Sequence, residues 1–292
     1  MTAIPVRAPS RPSRQPSAPA ARRARPRTYL LLLGIIAVSA FPLYWSVMAS
    51  SNDASSVGHW PPKLLPGTHL LENLQRAFTQ GAYGLALLNS FIIATTVTLS
   101  VVLTSTLAGF AFAKLRFRGS NAMLGFVVAT MMVPAQLGII PLYIMMSQWF
   151  GWTGHLQAVI VPATTSAFGV FLMRQYLSEA LPNELLEAGR VDGCSTARLY
   201  WHIVLPVARP AAAVLGLFTF MGAWNDFFWP LLALGPDNPT VQTALSTLAS
   251  GYYMDYSLVL TGTLISTAPI LLVFAVLGRQ IIGGIMQGAV KA

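Results

Sequence analysis

The polar stretch EAGRVDGCSTARLYWHIVLP, residues 187–206, lies between two long apolar segments and holds the residues of this chain best suited to specific contacts. Glu187 offers a carboxylate for charge-assisted hydrogen bonds, and Gly193 allows another backbone to approach closely. Such groups serve noncovalent docking. A loop that only joined two helices could be about four or five residues long, so we expect this longer one to contact another protein.

Sequence patterns for nucleotide hydrolysis, metal binding and covalent catalysis do not occur. The chain has no G-x4-GK[ST] phosphate loop, so any ATP and Mg²⁺ must be bound by a partner. Its four histidines lack a Glu or His at ligand spacing, and its single cysteine, Cys194, excludes an intramolecular disulfide and a cysteine-rich metal site. Ser, His and Asp residues are too scattered for a hydrolytic triad. We expect no cofactor, metal or enzymatic activity in this chain.

A second candidate site is GAWNDFFWP, residues 222–230, where Asp226 is the only acidic residue inside a long apolar segment. An ionisable group at membrane depth is costly and suggests function. Counting about 1.5 Å per residue along the predicted helix puts Asp226 about 30 Å from its start, near an interface where water could solvate it. Trp224, Asn225, Asp226 and Trp229 are candidates for a pathway or gate. Interfacial anchoring is the alternative, and we favour a structural or gating role.

The composition is that of an integral membrane protein. Of 292 residues, 54% are hydrophobic and only 9% are charged, and the mean hydropathy is +0.60. The net charge of +9 does not indicate a nucleic-acid partner, because seven of the eighteen Lys and Arg residues lie in a Pro/Ser/Ala/Arg-rich tail, residues 1–27. We predict that this tail is disordered and that it aids orientation or contacts anionic lipid.

Six apolar stretches reach the roughly 20 residues that a helix needs to cross a bilayer. They lie near residues 28–50, 87–113, 121–147, 155–176, 206–234 and 257–282. The joins alternate in charge, with sixteen Lys and Arg residues on one side and only Lys63 and Arg76 on the other. The positive-inside rule then predicts cytoplasmic termini. The predicted fold is an all-α domain of six transmembrane helices, residues 28–282, followed by a cytoplasmic tail, residues 283–292.

Two further features concern packing. The predicted outer loop, residues 51–86, contains an amphipathic helix over residues 69–78 that we expect at the membrane interface, against lipid or an external partner. Small residues four apart, Ser105, Gly109 and Ala113, allow helix backbones to approach closely. We favour packing within the chain over a subunit interface for them.

Residues 179–206 predict a helix-turn-helix elbow on the cytoplasmic side. Pro182 and Asn183 suit a helix start, Gly193 suits its end, and Ser195 suits the cap of a second helix. One face of the first helix carries an apolar stripe formed by Leu185, Ala188 and Val191. An exposed apolar stripe beside a membrane calls for a protein cover.

The spacing of the elbow resembles the EAA loop of the permease subunits of binding-protein-dependent ABC importers, EAA-x3-G-x9-I-x-LP. The matching residues are Glu187, Ala188, Gly189, Gly193, Ile203, Leu205 and Pro206. Gly189 is the one departure, because the family usually has alanine there. Glycine lowers helix propensity by about 1 kcal/mol but adds no bulk.

The segments LNSFIIATTVTLSVVLTSTLAGFAFAKLRFRG, MMVPAQLGIIPLY, FGVFLMRQY and FTFMGAWNDFFWPLLAL are similar to maltose-type, or carbohydrate uptake type 1, permeases. The ending GGIMQGAVKA is similar to the subunit of that pair with a Gly-Ala-Val-Lys tail. The resemblance implies the ABC type I importer permease fold in a bacterial inner membrane. It also implies four kinds of contact: a second permease, an ATP-binding subunit dimer, an extracytoplasmic sugar-binding protein, and membrane lipid.

The resemblance further implies which residues meet the ATPase. In the elbow these are Glu187, Ala188, Gly189, Asp192 and Gly193. In the C-terminal tail they are Gly284, Gly288, Ala289, Val290 and Lys291.

The function predicted from the sequence is therefore half of the translocation pathway of an ATP-driven sugar importer. An importer of glycerol phosphate or another polar solute is the alternative within the family. A stand-alone secondary transporter is disfavoured, because the chain has no midplane carboxylates and no inverted-repeat signal.

Overall fold

The computed structural model describes residues 26–58, 60, 63–250 and 254–289, and for residues 56, 277 and 279–289 it describes the backbone alone. Regular structure in these ranges is entirely helical, which confirms the predicted all-α class. The chain forms two units, Met1–Tyr44 and Trp45–Ala292. The predicted tail lies outside the described residues up to residue 25, and helix α1, Pro26–Ser50, includes its last two residues.

In the first unit, the described part is the helical stretch 26–44, and all of its side chains are exposed. Most of them are large and apolar, such as Leu30, Ile36 and Val38. A hydrocarbon environment suits such a surface, and α1 as a whole is long and apolar enough to cross a membrane.

The second unit holds the remaining helices. In chain order these are α2 (Ala54–Val57), α3 (Leu70–Gln80), α4 (Tyr83–Lys114), α5 (Ser120–Thr130), α6 (Ile139–Ile144), α7 (Gln157–Ile160), α8 (Ala167–Ala180), α9 (Asn183–Val191), α10 (Thr196–Leu199), α11 (Leu205–Asn225), α12 (Phe228–Ala233), α13 (Val241–Ala249) and α14 (Tyr256–Ala289). Short 3-10 or π turns extend several of them, at Ala135–Gly138, Met145–Trp149, Val161–Ala163 and Tyr200–Val204. Five helical runs in the described ranges can span a membrane, or six if one bent pair counts as a span.

The third predicted span, residues 121–147, is not a continuous helix. Its two halves, Ser120–Thr130 and Ala135–Trp149, meet at 90°. Pro134 lies in the break with an extended backbone. Proline lacks an amide donor and disfavours helical geometry in the residue before it, which explains a break at this point.

The fifth predicted span, residues 206–234, is interrupted near its end. Helix α11 begins one residue before the predicted start and ends the helical run Thr196–Asn225, and α12 starts only after a break. Asp226 is extended, with φ −68° and ψ 118°. In a continuous helix the ring of Pro230 would collide with the carbonyl of residue 226 four positions earlier and would remove one hydrogen bond. The break therefore falls where this proline favours one.

The centre of the second unit is α4, which packs against α8 and α11. A Cβ added at Gly109 would lie 2.7 Å from Met173 Cβ and 2.8 Å from the backbone nitrogen of Arg174. A Cβ added at Gly169 would lie too close to the Ser105 side chain for normal contact. The small-residue motif thus packs within the chain, as predicted, and brings two helix backbones together.

Helix α13 was not predicted. It begins at a capping box in which Thr240 and Thr243 exchange hydrogen bonds. The amide of Val241 donates to Ser90 Oγ at 2.9 Å, and Asn89 Nδ2 donates to the Pro239 carbonyl at 3.0 Å. These bonds fix the segment before α13 against α4.

Within the predicted outer loop, α3 buries Asn73 and Ala77, half-buries Leu70 and Leu74, and exposes Leu71 and Phe78. Asn73 Nδ2 donates to the carbonyls of Ser50 and Asn52, at 2.9 and 3.0 Å. The polar side chain therefore holds the helix to the protein, and its placement at the membrane interface stays a prediction.

The first prediction concerns the contact of α4 with α8. We expect Gly109→Ala to lower the free energy of unfolding by about 2 kcal/mol, because the new methyl group meets backbone atoms that cannot move independently. Thermal unfolding in detergent measures this. Gly125→Ala is the matched control, since an added Cβ there meets nothing within 4 Å. Equal midpoints for the two variants would contradict the close packing.

The second prediction concerns Asp255, which precedes α14. Partial burial alone would raise the pKa of its carboxyl. Hydrogen bonds from Ser257, Arg76 and the Leu258 amide, with the charge of Arg76 at 2.7 Å, outweigh burial and hold the pKa below its ordinary value. Ionised Asp255 therefore contributes fully to the free energy of unfolding above about pH 3.9, the ordinary pKa of an aspartate. This contribution is lost as the pH falls through the lowered pKa of the folded state.

We expect Asp255→Asn to lower the free energy of unfolding near neutral pH by at most about 1 kcal/mol, because the pair is partly open to solvent. The difference from wild type should stay constant down to about pH 4.5 and shrink below about pH 4. Thermal midpoints measured against pH check this, with the exposed Asp237→Asn as control. A difference that grows on acidification would refute the assignment.

Candidate functional site

The elbow of residues 183–206 forms as predicted at its turn. Gly193 takes a φ of +77°, which glycine adopts without cost. The amide of Cys194 donates to the Gly189 carbonyl at 2.9 Å, and the Gly193 amide donates to the Arg190 carbonyl at 3.0 Å. This pair of bonds is the Schellman motif, so the end of α9 is closed and its carbonyls are satisfied.

The second arm of the elbow starts at a side-chain cap. Ser195 Oγ accepts from the Arg198 amide at 3.3 Å, and α10 then continues through the π turn into α11. The two arms touch at Gly189, where an added Cβ would lie 2.5 Å from Leu199 Cδ2 and 3.2 Å from Ile203 Cδ1. Leu199 is only 1% exposed. Glycine at position 189 thus lets the arms approach more closely than alanine would allow.

The opposite face of α9 is open. Glu187, Ala188 and Asp192 are exposed, and the predicted apolar stripe is too, with Leu185 46% and Val191 88% exposed. The described part of the chain provides no ion pair for Glu187 or Asp192. The elbow therefore presents an apolar strip beside two carboxylates.

The last three residues of the EAA-type motif, Ile203, Leu205 and Pro206, differ in their exposure. Ile203 and Leu205 are half-buried, and Ile203 packs against the core that α4, α8 and α11 share. Pro206 is exposed and directly follows the π turn, where its missing amide donor interrupts the regular hydrogen bonding of the helical run.

The first arm of the elbow is also tied to α4. Lys114 Nζ donates to the Ser178 carbonyl at 3.3 Å and to Asn183 Oδ1 at 3.2 Å. A cleft of about 770 Å³ lies between the C-terminal end of α4 and α9, and its lining includes Arg116, Glu187 and Arg190. Lys114 and Arg116 of the second join and Arg190 of the fourth therefore lie close together, in agreement with the charge alternation of the sequence.

A second cavity, of about 510 Å³, lies between α4, the α7–α8 segment and α11. Its lining consists of Ile93, Val97, Val101, Val159, Ala163, Thr165, Ser166, Phe168, Leu215, Phe218, Thr219, Gly222, Ala223, Asp226 and Trp229. The helical run of 30 residues, Thr196–Asn225, joins the elbow to this cavity. Movement of the elbow would thus reach the cavity through one continuous helix.

Asp226 and Trp229 both line this cavity. Asp226 Oδ1 accepts from the Trp229 amide at 3.4 Å, and Trp229 Nε1 donates to the Ala158 carbonyl at 3.1 Å. The lining contains no Lys, Arg or His. A carboxylate without a cation beside it is thus placed at the wall of a space that could hold a small solute.

The two other candidates of this segment point elsewhere. Trp224 is buried, stacks on Phe220, and donates through Nε1 to the Ser266 carbonyl at 3.0 Å. Asn225 is exposed, and its Oδ1 accepts from Gln242 Nε2 at 3.3 Å. Trp224 thus joins α11 to α14, and neither residue lines the cavity.

Sequence reasoning missed the hydroxyl and aromatic lining of the cavity, Thr165, Ser166, Phe168, Phe218 and Thr219. One signal was available on α11, where Thr219, Gly222, Ala223 and Asp226 stand at i, i+3, i+4 and i+7. Polar and small residues at this spacing form one helix face, which in an apolar helix indicates a cavity side.

The first part of the predicted C-terminal tail, residues 283–292, is helical. Helix α14 continues past the predicted boundary to Ala289, so Gly284, Gly288 and Ala289 belong to its backbone. Val290 and Lys291 lie outside the described residues.

A helical membrane domain with an exposed docking elbow and a solute-sized cavity has the architecture of a transport subunit. Residues 102–282 match the model of the binding-protein-dependent transport system inner membrane component family. The chain belongs to this family. It is a multi-pass inner-membrane permease subunit of an ABC importer and not an enzyme.

Relatives of similar length support the assignment. The chain is 36% identical over 255 residues to the lactose transport system permease protein LacG of Rhizobium radiobacter, covering 87% of this chain and 92% of that one. It is 33% identical over 267 residues to the sn-glycerol-3-phosphate transport system permease protein UgpE of Pectobacterium atrosepticum, covering 88% and 94%. It is 31% identical over 271 residues to the arabinooligosaccharides transport system permease protein AraQ of Halalkalibacterium halodurans, covering 90% and 96%.

A solved structure shares the fold. The crystal structure of a bacterial ABC transporter that imports the acidic polysaccharide alginate contains a chain with a TM-score of 0.74, 21% identity, and coverage of 87% of this chain and 95% of that one. The predicted permease fold is thereby confirmed.

Proposed function

We propose that this subunit forms half of the translocation pathway of an ATP-driven sugar importer and that a partner ATPase acts on it through the elbow. The exposed face of α9 carries the proposal, because its apolar strip lies beside Glu187 and Asp192, which have no ion pair within the described part of the chain, and such a face suits contact with another protein. Glu187 would accept charge-assisted hydrogen bonds, and Gly193 would allow close backbone contact.

The elbow is stiff enough to act as a lever. Its turn is closed by the Schellman bonds, its arms are packed at Gly189, and Lys114 ties its base to α4. A loose loop would absorb a displacement, whereas packed elements move as bodies. ATP-driven closure of the partner dimer would thus be transmitted along Thr196–Asn225 to the cavity.

The remaining partners follow from the surfaces left open. Helices α5 and α6 bury no side chain, so their surfaces suit a second permease and lipid. The elbow and both termini would face the cytoplasm, where the ATPase dimer would hold ATP and Mg²⁺. An extracytoplasmic sugar-binding protein would deliver the solute to the other side, and transport would proceed by alternating access.

The solute class rests on the relatives and on the cavity. Two of the three relatives named above belong to importers of sugars and one to an importer of glycerol phosphate. Hydroxyls and aromatic rings in the cavity suit a sugar. An importer of glycerol phosphate or another polar solute is the second candidate, because of the similarity to UgpE.

Uptake of a radiolabelled sugar panel into proteoliposomes tests the proposal. The complete importer should accumulate at least one sugar only with ATP inside and the binding protein outside. Uptake by this subunit without ATP or an ATPase would show that it is a stand-alone transporter.

The third prediction tests the docking role of Gly193. We expect Gly193→Asp to insert normally but to reduce ATP-dependent uptake and copurification of the ATPase at least about tenfold. An added Cβ at this exposed position meets nothing within the chain, so the obstruction would fall on the partner. Gly193→Asn, which tolerates a positive φ, should fail similarly because its bulk remains.

Gly151→Asp is the matched control, because Gly151 also has a positive φ, of +64°, and no atom within 4 Å of an added Cβ, yet lies outside the elbow. It should retain uptake. Normal uptake by Gly193→Asp at equal expression would exclude docking at this turn.

The fourth prediction concerns the tail. Truncation after Gly283 removes Gly284, Gly288, Ala289, Val290 and Lys291, and it should weaken copurification of the ATPase several-fold while insertion is unchanged. Deletion of residues 2–25 is the control and should leave assembly intact. Unchanged copurification after the C-terminal truncation would remove the tail from the ATPase contact.

A further inference from the structure

We propose that Asp226 makes the cavity selective against anionic solutes, so that this importer carries neutral polyhydroxylated molecules and not glycerol phosphate or acidic sugars. The inference rests on the proposed function, because it assigns the cavity to the solute pathway. It makes Asp226 a specificity residue of the permease itself, acting after the selection made by the binding protein.

The position of Asp226 supports a role toward a solute. The residue follows the last turn of α11, is half-buried, and lines the cavity of about 510 Å³. Its carboxylate accepts from two backbone amides, that of Trp229 at 3.4 Å and that of Phe228, which leaves some of its acceptor sites unused. The carboxylate therefore keeps acceptor capacity for solute hydroxyls.

The surroundings leave the charge of Asp226 uncompensated. None of the fifteen lining residues is basic, and the two ion pairs recorded among the described residues, Lys63–Asp53 and Arg76–Asp255, involve other side chains. A cavity with low-dielectric walls and one sign of charge concentrates that field. An anion entering this space meets repulsion without any compensating cation.

The rest of the lining suits a neutral polyol. Thr165, Ser166 and Thr219 offer hydroxyls, and Phe168, Phe218 and Trp229 offer apolar ring surface. Thr219 already donates to the Leu215 carbonyl and can still accept, whereas Ser166 accepts from the Gly169 amide and can still donate. Such a mixture pairs with the hydroxyl edge and the carbon face of a sugar. It lacks the Arg or Lys groups by which proteins usually hold phosphate or carboxylate.

The expected discrimination follows from Coulomb's law. Two unit charges about 8 Å apart, at an effective dielectric constant of about 30 for a partly hydrated cavity, repel enough to disfavour the anion about tenfold. Asp226→Asn should remove this factor and keep the fold, because an asparagine oxygen can still accept from the Trp229 amide.

Thiol labelling in the assembled importer measures the field directly. Gly222 lines the cavity one helical turn before Asp226, and an added side chain there meets open space. In a Cys194→Ser background, Gly222→Cys should react about tenfold more slowly with anionic sulfonatoethyl methanethiosulfonate than with a neutral methanethiosulfonate, after correction for a free thiol. Asp226→Asn should make the corrected rates equal, and Asp237→Asn, an exposed carboxylate outside the cavity, should not.

Solute binding supplies the second measurement. The importer in nanodiscs, without binding protein, is titrated with three neutral sugars and their carboxylate forms: lactose and lactobionate, maltose and maltobionate, glucose and gluconate. We expect at least one neutral member to bind, its anion to bind about tenfold more weakly, and Asp226→Asn to close that gap.

Three results would overturn the proposal: no binding of any neutral member, equal binding of neutral and anionic members by wild type, or a labelling ratio that Asp226→Asn leaves unchanged. Failure of the importer assignment gives a different result, namely loss of ATP-dependent uptake and of ATPase copurification. If those persist while the charge preference is absent, only the selectivity is wrong.

Discussion

The contact of Gly189 with Leu199 fixes the angle between the two arms of the elbow, and the coupling to an ATPase that we propose depends on it. A side chain as small as a methyl group at this point would have to displace a buried leucine. With the arms closed, α9 and the helical run Thr196–Asn225 behave as one bent body. A force applied to the exposed face of α9 is then delivered to α11 without passing through a flexible link.

The sequence anticipated the elbow well because its structure is local. A positive φ at Gly193, a hydroxyl cap at Ser195 and the start of α9 at Asn183 each depend on a few neighbouring residues. The existence of the apolar spans was equally accessible, since length and hydropathy are enough to predict a membrane helix. The family resemblance of the elbow was confirmed by the match over residues 102–282.

Other features were missed because they depend on tertiary packing or on a single breaker inside an apolar run. Hydropathy does not distinguish a straight span from the right-angled pair around Pro134, or a helix that ends at Asn225 from one that continues. Helix α13 depends on bonds from Ser90 and Asn89, which are about 150 residues away in sequence. The cavity takes its lining from three separate regions of the chain. Only the lining residues on α11 have a regular spacing that could be recognised in the sequence.

The hydrogen bond from Trp224 to the Ser266 carbonyl gives the subunit a second mechanical property. It links the helix that leaves the elbow to α14, whose opposite end leads into the C-terminal residues. If both the elbow and those residues contact the same ATPase, then the elbow, α11, α14 and the ATPase form a closed chain of rigid elements. Segments connected in this way can move only together. A chimera that took the elbow or the C-terminal residues alone from another permease would therefore couple poorly to the ATPase.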